Sequence, residues 1–108
     1  MRPRFHPEAR RELREAADNI GETAGGASGR FVRAVRATVE RALATPHGGA
    51  LWPGVPIRLQ VRRRRVPGYK YMSIAYTVVG EAMWIVAIVP DRRRPGYWFH
   101  RLDQLPRH

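Results

Sequence analysis

No cysteine occurs anywhere in this chain of 108 residues, which excludes disulfides and thiolate metal sites and gives no sign of an oxidising compartment. Serine is nearly as scarce. Ser28 sits where a helix should start and Ser73 in mid-strand, so a serine triad has no good candidate. No apolar run exceeds residues 82–89, far short of the ~20 residues that a membrane helix needs. Residues 1–7 lack the apolar stretch of a secretion signal, so a cytoplasmic location is expected. His6, His47, His100 and His108 are scattered without metal-ligand spacing, and the second half holds only Glu81, Asp91 and Asp103 as acids. No metal or other cofactor is therefore expected, since neither imidazole pairs nor a carboxylate cluster can be assembled. Four glycines lie in residues 21–29, but with no lysine and no preceding strand they read as a connector rather than a phosphate loop.

What the chain does have is arginine. Twenty basic residues stand against nine acidic ones for a net charge of +11, and Lys70 is the single lysine. Residues 1–50 hold nine arginines and six acids; residues 51–108 hold eleven basic residues and three acids. GC-rich coding explains arginine in place of lysine better than it explains this clustering. A basic excess gathered on one half is the footprint of a polyanionic or acidic partner. The length fits one domain spanning residues 1–108, enough to bury roughly 60–70% of the unfolded chain's surface.

The periodicities predict an α+β domain. Pro7 suits a first helical position, Glu8 and Glu12 favour the positive helix end, and Ala9, Leu13, Ala16, Ala17 and Ile20 repeat at helical spacing over residues 7–20. After the glycine-rich connector, Ser28 is the expected N-cap of a second helix with Phe31, Val32, Val35, Val39, Ala42 and Leu43 on one face. Pro46 with Gly48 and Gly49 should end it. Ile57, Leu59 and Val61 alternate with Arg58, Gln60 and Arg62, as in a half-buried strand. Met72, Ile74, Tyr76 and Val78 alternate with Ser73, Ala75 and Thr77 in a second strand. Gly80 and Glu81 turn into a third, residues 82–89, apolar on both faces and so expected at the centre. Residues 2–5 suit an edge strand, where Pro3 is tolerated. The expected architecture is an N-terminal helical hairpin packed on a small, twisted antiparallel sheet.

Two basic clusters flank that sheet. Arg62, Arg63, Arg64 and Arg65 should leave their strand near Arg64 and enter a hairpin at Val66-Pro67-Gly68, with Arg62 and Arg64 on one face and Arg63 and Arg65 on the other. A solvated edge that discourages aggregation is the plain reading of that run. Lys70 follows between Tyr69 and Tyr71, and cations interleaved with rings also suit RNA. Arg92, Arg93 and Arg94 end the apolar strand, which should hold them rigidly. One of these three is expected to pair with a helix-1 carboxylate, Glu12 or Glu15. Tyr97 and Trp98 follow a Pro-Gly turn and read more readily as packing over the sheet than as chemistry.

These pieces together resemble the RelE/ParE superfamily of bacterial toxins from type II toxin–antitoxin systems. The resemblance lies in Phe5-His6-Pro7-Glu8-Ala9 followed by Leu13, in Arg30-Phe31-Val32, in Pro46 with Gly48, in the stretch 57–61, and in Arg92-Arg93-Arg94-Pro95-Gly96-Tyr97-Trp98 with Arg101. It implies a small toxin neutralised by a cognate acidic antitoxin. Such an antitoxin would be an amphipathic segment that folds on binding and covers the arginines at 62–65 and 92–94. The Pro95-Gly96-Tyr97-Trp98 ending is more similar to the ParE-like, plasmid-stabilisation arm, whose members poison DNA gyrase. RelE-like members instead cut messenger RNA on the ribosome without metal, a reaction that needs a proton acceptor, a donor and charge stabilisation. On that alternative, Lys70, Arg92, Arg93 and Tyr97 would carry the chemistry. Pro90 stands where a histidine often precedes the arginines in the family, which counts against it. A plain nucleic-acid-binding module is the third reading. The residues expected to meet target or antitoxin are Arg62, Arg63, Arg64, Arg65, Lys70, Arg92, Arg93, Arg94, Tyr97 and Trp98.

Overall fold

The computed structural model describes residues 1–21 and 26–106. Strand β1 (Arg2–Phe5) leads into helix α1 (Pro7–Gly21), and helix α2 (Ala27–Ala44) returns antiparallel to it. Strands β2 (Ala50–Leu51), β3 (Arg62–Val66), β4 (Tyr69–Val79) and β5 (Ala82–Pro90) follow, and a 3-10 helix (Phe99–Gln104) closes the chain. The sheet order is β1-β5-β4-β3-β2.

The sheet separates two apolar clusters. On one side Phe31, Val35, Val39 and Ala42 of α2 and Ala9 and Ala17 of α1 pack on Val66, Ile74, Tyr76, Met83, Ile85 and Ile88. On the other, Trp98 and Leu105 of the C-terminal segment close over Val61, Ala75, Val86, Ala87 and Val89. A strand covered on both faces must be apolar throughout, which is why residues 82–89 lack polar alternation. The register shift beside Ala75 and Tyr76 pairs Ala87 with Ala75 but Ile85 with Tyr76. Val86 is the extra residue of this bulge, so Val86 and Ala87 both face the C-terminal segment while Ile85 and Ile88 face the helices.

Several expectations need correction. The sheet is mixed rather than antiparallel, because β1 runs parallel to β5. The centre of the five strands is β4, with β5 between it and the edge strand β1. Residues 57–59 form a 3-10 turn, not a strand, and Ile57 is 71% exposed. Gln60 takes a left-handed conformation there, with φ of 50°, which breaks the extended run before β3 begins. The strand is instead the arginine run itself. It does not loosen at Arg64 but pairs with β4 up to Val66, with its irregularity between Arg65 and Val66. Ser28 lies inside the first turn of α2, and the cap position belongs to Gly26. Of the predicted connector, residues 22–25 lie outside the described residues. The two-residue strand β2 had no sequence expectation.

Among the described residues no helix is long and apolar enough to cross a membrane, and no group of three or more His, Asp or Glu could hold a metal ion.

Candidate partner-binding site

The four arginines of β3 divide as strand alternation dictates. Arg62 and Arg64 point to the helical side and are half-buried. Arg62 donates to the Gly49 carbonyl at 2.7 Å and to Gln60 Oε1 at 2.8 Å. Arg64 donates to the hydroxyl of Tyr76 at 3.2 Å, and to Oγ1 and the carbonyl of Thr45, the C-cap residue of α2, at 2.7 and 3.3 Å. A cation on the last carbonyls of a helix favours both its hydrogen bonding and its dipole. Gly49 must be glycine here, since a Cβ would run into the Tyr76 hydroxyl and the Arg63 carbonyl. Arg64 is therefore committed to holding the end of α2 on the sheet, and Arg62 to tying the Gly49 and Gln60 loops to β3.

Arg63 and Arg65 face the other way and are exposed. The Arg63 guanidinium lies 5.9 Å from the Trp52 ring centroid. Arg65 donates to the Lys70 carbonyl at 2.6 Å and to Asp91 Oδ2 at 3.0 Å, tying the β3–β4 hairpin to the exit of β5.

Residues 92–94 lie in the exposed loop after β5, not on the strand. The Arg93 amide donates to the Pro90 carbonyl at 3.1 Å, and the Arg93 guanidinium stacks 4.0 Å above the Tyr97 ring. Arg93 and Arg94 form a ridge between two clefts. One, of about 440 Å³, gathers Trp52, Arg63, Ser73, Trp98 and Phe99. The other, of about 570 Å³, runs along α1 past His6, Glu12, Tyr97 and His100. Lys70 and Arg92 line a third groove at the hairpin tip. The structure thus joins Arg63 to Arg93 and Arg94, and separates Lys70 from Tyr97.

Among the described residues, none of the three loop arginines forms an ion pair with helix 1. Glu12 instead takes Arg101, whose Nη1 donates to Oε1 at 2.8 Å and whose Nη2 donates to Oε2 at 3.0 Å. The same carboxylate accepts from the Tyr97 hydroxyl at 2.8 Å and from the Ile88 amide at 3.1 Å. The geometry has a clear cause. Strand β1 pairs with β5 only as far as Ile85, whose carbonyl accepts the His6 amide at 2.9 Å. Beyond that point the outer edge of β5 has no strand beside it. Glu12 satisfies the Ile88 amide, Arg101 donates to the Val86 carbonyl at 3.1 Å, and the Tyr97 hydroxyl also lies 3.3 Å from the Ile88 carbonyl. The next outward amide in the two-residue period belongs to position 90, where proline has none to leave unpaired. Pro90 is thus the natural end of a side-chain-capped edge.

This network fixes two ionisation states. Burial, then the hydrogen bond and charge of Glu12, push the Tyr97 phenol far above its ordinary value, with Arg101 and Arg93 offsetting only part. Burial opposes the charge on Arg101, but Glu12 outweighs it and holds the guanidinium protonated beyond its usual range. Nearby, His6 accepts the Glu8 amide at Nδ1 (3.1 Å) as the cap of α1, leaving Nε2 to donate to Gln104 Oε1 at 2.6 Å.

Trp98 is wholly buried, edge-on to Trp52 and Phe99 with centroids 5.0 and 4.8 Å away. It packs, and offers no surface to a partner. The Pro95-Gly96 turn before it is required, Gly96 having φ of 78° with Phe99 against it. Sequence reasoning did not single out Trp52 or the Glu12–Arg101 pair. The signal for the pair was present: Glu12 lies on the apolar stripe of α1 beside Ala9, Leu13 and Ala16, and Arg101 falls between Trp98 and Leu105.

No protein-family model and no curated protein matches this chain. Among solved structures, a chain of the "Chromosomal ParDE TA system from P. aeruginosa" superposes with a TM-score of 0.61 at 20% identity, covering 83% of this chain and 95% of that one. At that identity the likeness shows the architecture: a helical hairpin on one face of a five-stranded sheet, in the RelE/ParE-like α+β fold.

Proposed function

We propose that this chain is the toxin of a type II toxin–antitoxin pair, that it acts in the ParE-like manner by binding DNA gyrase, and that an acidic antitoxin neutralises it. The observation that carries the toxin reading is the likeness to a chain of a ParDE system over nearly that chain's whole length. The site favours binding over cleavage. Tyr97, the proton carrier that a nuclease would use, is held to Glu12 with its phenol pushed far up, so it is a poor proton acceptor at neutral pH. Lys70 belongs to a different groove from Tyr97. What remains at the ridge is fixed positive charge: Arg63, Arg93 and Arg94 beside the rings of Trp52 and Phe99.

A supercoiling assay with purified gyrase and purified chain tests this directly. The expected result is loss of supercoiling with accumulation of cleaved DNA, while translation in a cell-free extract continues. Untouched gyrase together with cuts in ribosome-bound messenger RNA would replace this reading with the RelE-like one. Salt-sensitive oligonucleotide binding with neither effect would leave only a nucleic-acid-binding module.

A further inference from the structure

The third groove lies at the tip of the β3–β4 hairpin, where β4 and β5 carry Met72 and Pro90 out to the end of the sheet. It has a volume of about 700 Å³, and its lining includes Tyr69, Tyr71, Met72 and Pro90 with Lys70 and Arg92 beside them. Tyr71 is 61% exposed, an unusual cost for a ring on an eleven-residue strand. Tyr69 is anchored edge-on against Phe31 at 5.0 Å, so that wall of the groove is preformed.

The unpaired charges beside it are of one sign. Asp91, the acid among the lining residues, is engaged by Arg65 at 3.0 Å. Among the described residues, neither the Lys70 ammonium nor the Arg92 guanidinium has a carboxylate partner. Lys70 rests over the Tyr71 ring with Nζ 5.0 Å from its centroid, which occupies one face that a nucleobase would need for stacking. A floor of tyrosine, methionine and proline with cations beside it has the composition of a protein-interface core and not of a phosphate track.

The geometry points to a docking groove for one turn or short extended stretch of an acidic, amphipathic polypeptide, with an apolar side chain seated between Tyr71, Met72 and Pro90 and carboxylates meeting Lys70 and Arg92. The identity of that polypeptide as the antitoxin rests on the function proposed above; the chemistry of the groove does not. The groove shares Pro90 and Asp91 with the cleft on one side of the Arg93–Arg94 ridge, so the two adjoin.

The probe is a fluorescein-labelled twelve-residue peptide alternating glutamate with leucine, read by anisotropy on the full chain. Two controls replace every leucine with serine, or every glutamate with lysine. The expected result is binding of the Glu/Leu peptide alone, weakened about tenfold or more by Tyr71→Ser and by Lys70→Glu with Arg92→Glu, and unchanged by Arg33→Glu with Arg36→Glu on α2. Because Lys70 is the only lysine, bound peptide should also protect it from acetylation by an amine-reactive ester, read as mass on the Lys70 peptide. Circular dichroism of each variant separates lost binding from lost folding. Equal weakening by the α2 variants, or equal binding of the serine control, would reduce the groove to general positive charge and overturn the proposal. So would self-association abolished by Tyr71→Ser, which makes the occupant a second copy, or displacement of the peptide by a single-stranded oligonucleotide. Failure of gyrase inhibition, by contrast, would overturn the function proposed above and leave the peptide result standing.

Discussion

Glu12 and Arg101, 89 positions apart, meet in a two-pronged ion pair with both side chains largely out of water, at 14% and 6% exposure. One carboxylate thereby joins α1, the outer edge of β5 and the C-terminal 3-10 helix. It does the work of strand pairing where β1 has ended.

Removing one partner of a buried pair leaves an unpaired charge, which typically costs about 3–5 kcal/mol. Arg101→Ala and Glu12→Ala are each expected to destabilise on that scale. For a domain near 100 residues, each kcal/mol lowers Tm by about 4–8 °C, so either variant should melt more than ~10 °C below the parent. The double variant should cost less than the sum of the two, because neither charge is then stranded. Additive losses in thermal or urea melts would mean the pair is not a unit. Arg101→Lys should behave nearly as badly as Arg101→Ala, since an ammonium cannot reproduce the fork that also reaches the Val86 carbonyl.

Tyr97 supplies a pH dependence at the alkaline end. Its phenol titrates well above the unfolded value near 10, so above that pH the unfolded chain gives up a proton that the folded chain keeps. The stabilisation is therefore complete below pH 10 and lost as pH rises toward the raised folded value, by up to about 1.4 kcal/mol per pH unit. Urea melts at several pH values from 8 to 11 should fall more steeply for the parent than for Tyr97→Phe. Parallel curves would show that the hydroxyl of Tyr97 is not held as the structure has it.

The elements written in local periodicity were legible. Both helices follow from apolar spacing, and β5 from an unbroken run that only a doubly covered strand can bury. The arginine strand was legible in the alternating faces of Arg62 to Arg65 but not in its extent, because no apolar residue marks the run; its partner β4 imposes the extended form as far as Val66. The alternation of residues 57–61 misled because Pro56 and a left-handed Gln60 impose a 3-10 turn there, which leaves Ile57 71% exposed and gives that turn no buried residue. The parallel pairing of β1 was hidden for a different reason: edge strands carry little pattern, and direction is set by the helical hairpin crossing over. At the site, the basic clusters and the Pro-Gly-Tyr-Trp turn were visible in advance. Which arginine met Glu12 was not, since a contact across 89 residues leaves no local trace beyond a charge on an apolar stripe.

The β3 arginines make a test of that division. Arg64→Ala strips the cation from the C-cap of α2 and a partner from the buried Tyr76 hydroxyl, and should cost about 1–2 kcal/mol. Arg63→Ala and Arg65→Ala remove exposed contacts and should stay within about 1 kcal/mol of the parent. Urea denaturation with an unchanged m-value reads this out. Losses at Arg63 equal to those at Arg64 would mean that both faces of the strand are structural.

Arg93 and Trp98 separate function from folding at the loop that follows β5. Trp98 has no exposed surface and fills the centre of the second cluster, so Trp98→Ala should cost about 3–5 kcal/mol and reduce soluble yield. Arg93 is exposed, and its stacking on Tyr97 is worth about 0.5–1 kcal/mol at such a site. Arg93→Ala should therefore fold with a Tm within a few degrees of the parent. On the proposed function it should also inhibit gyrase at least ~10-fold less effectively, because charge held over the Tyr97 ring forms the ridge between the two clefts. Arg93→Lys should recover only part of that inhibition, as an ammonium stacks less well on a ring. A stable Arg93→Ala protein with full inhibition would remove the ridge from the target-binding surface and shift attention to Arg63 and Trp52 across the cleft.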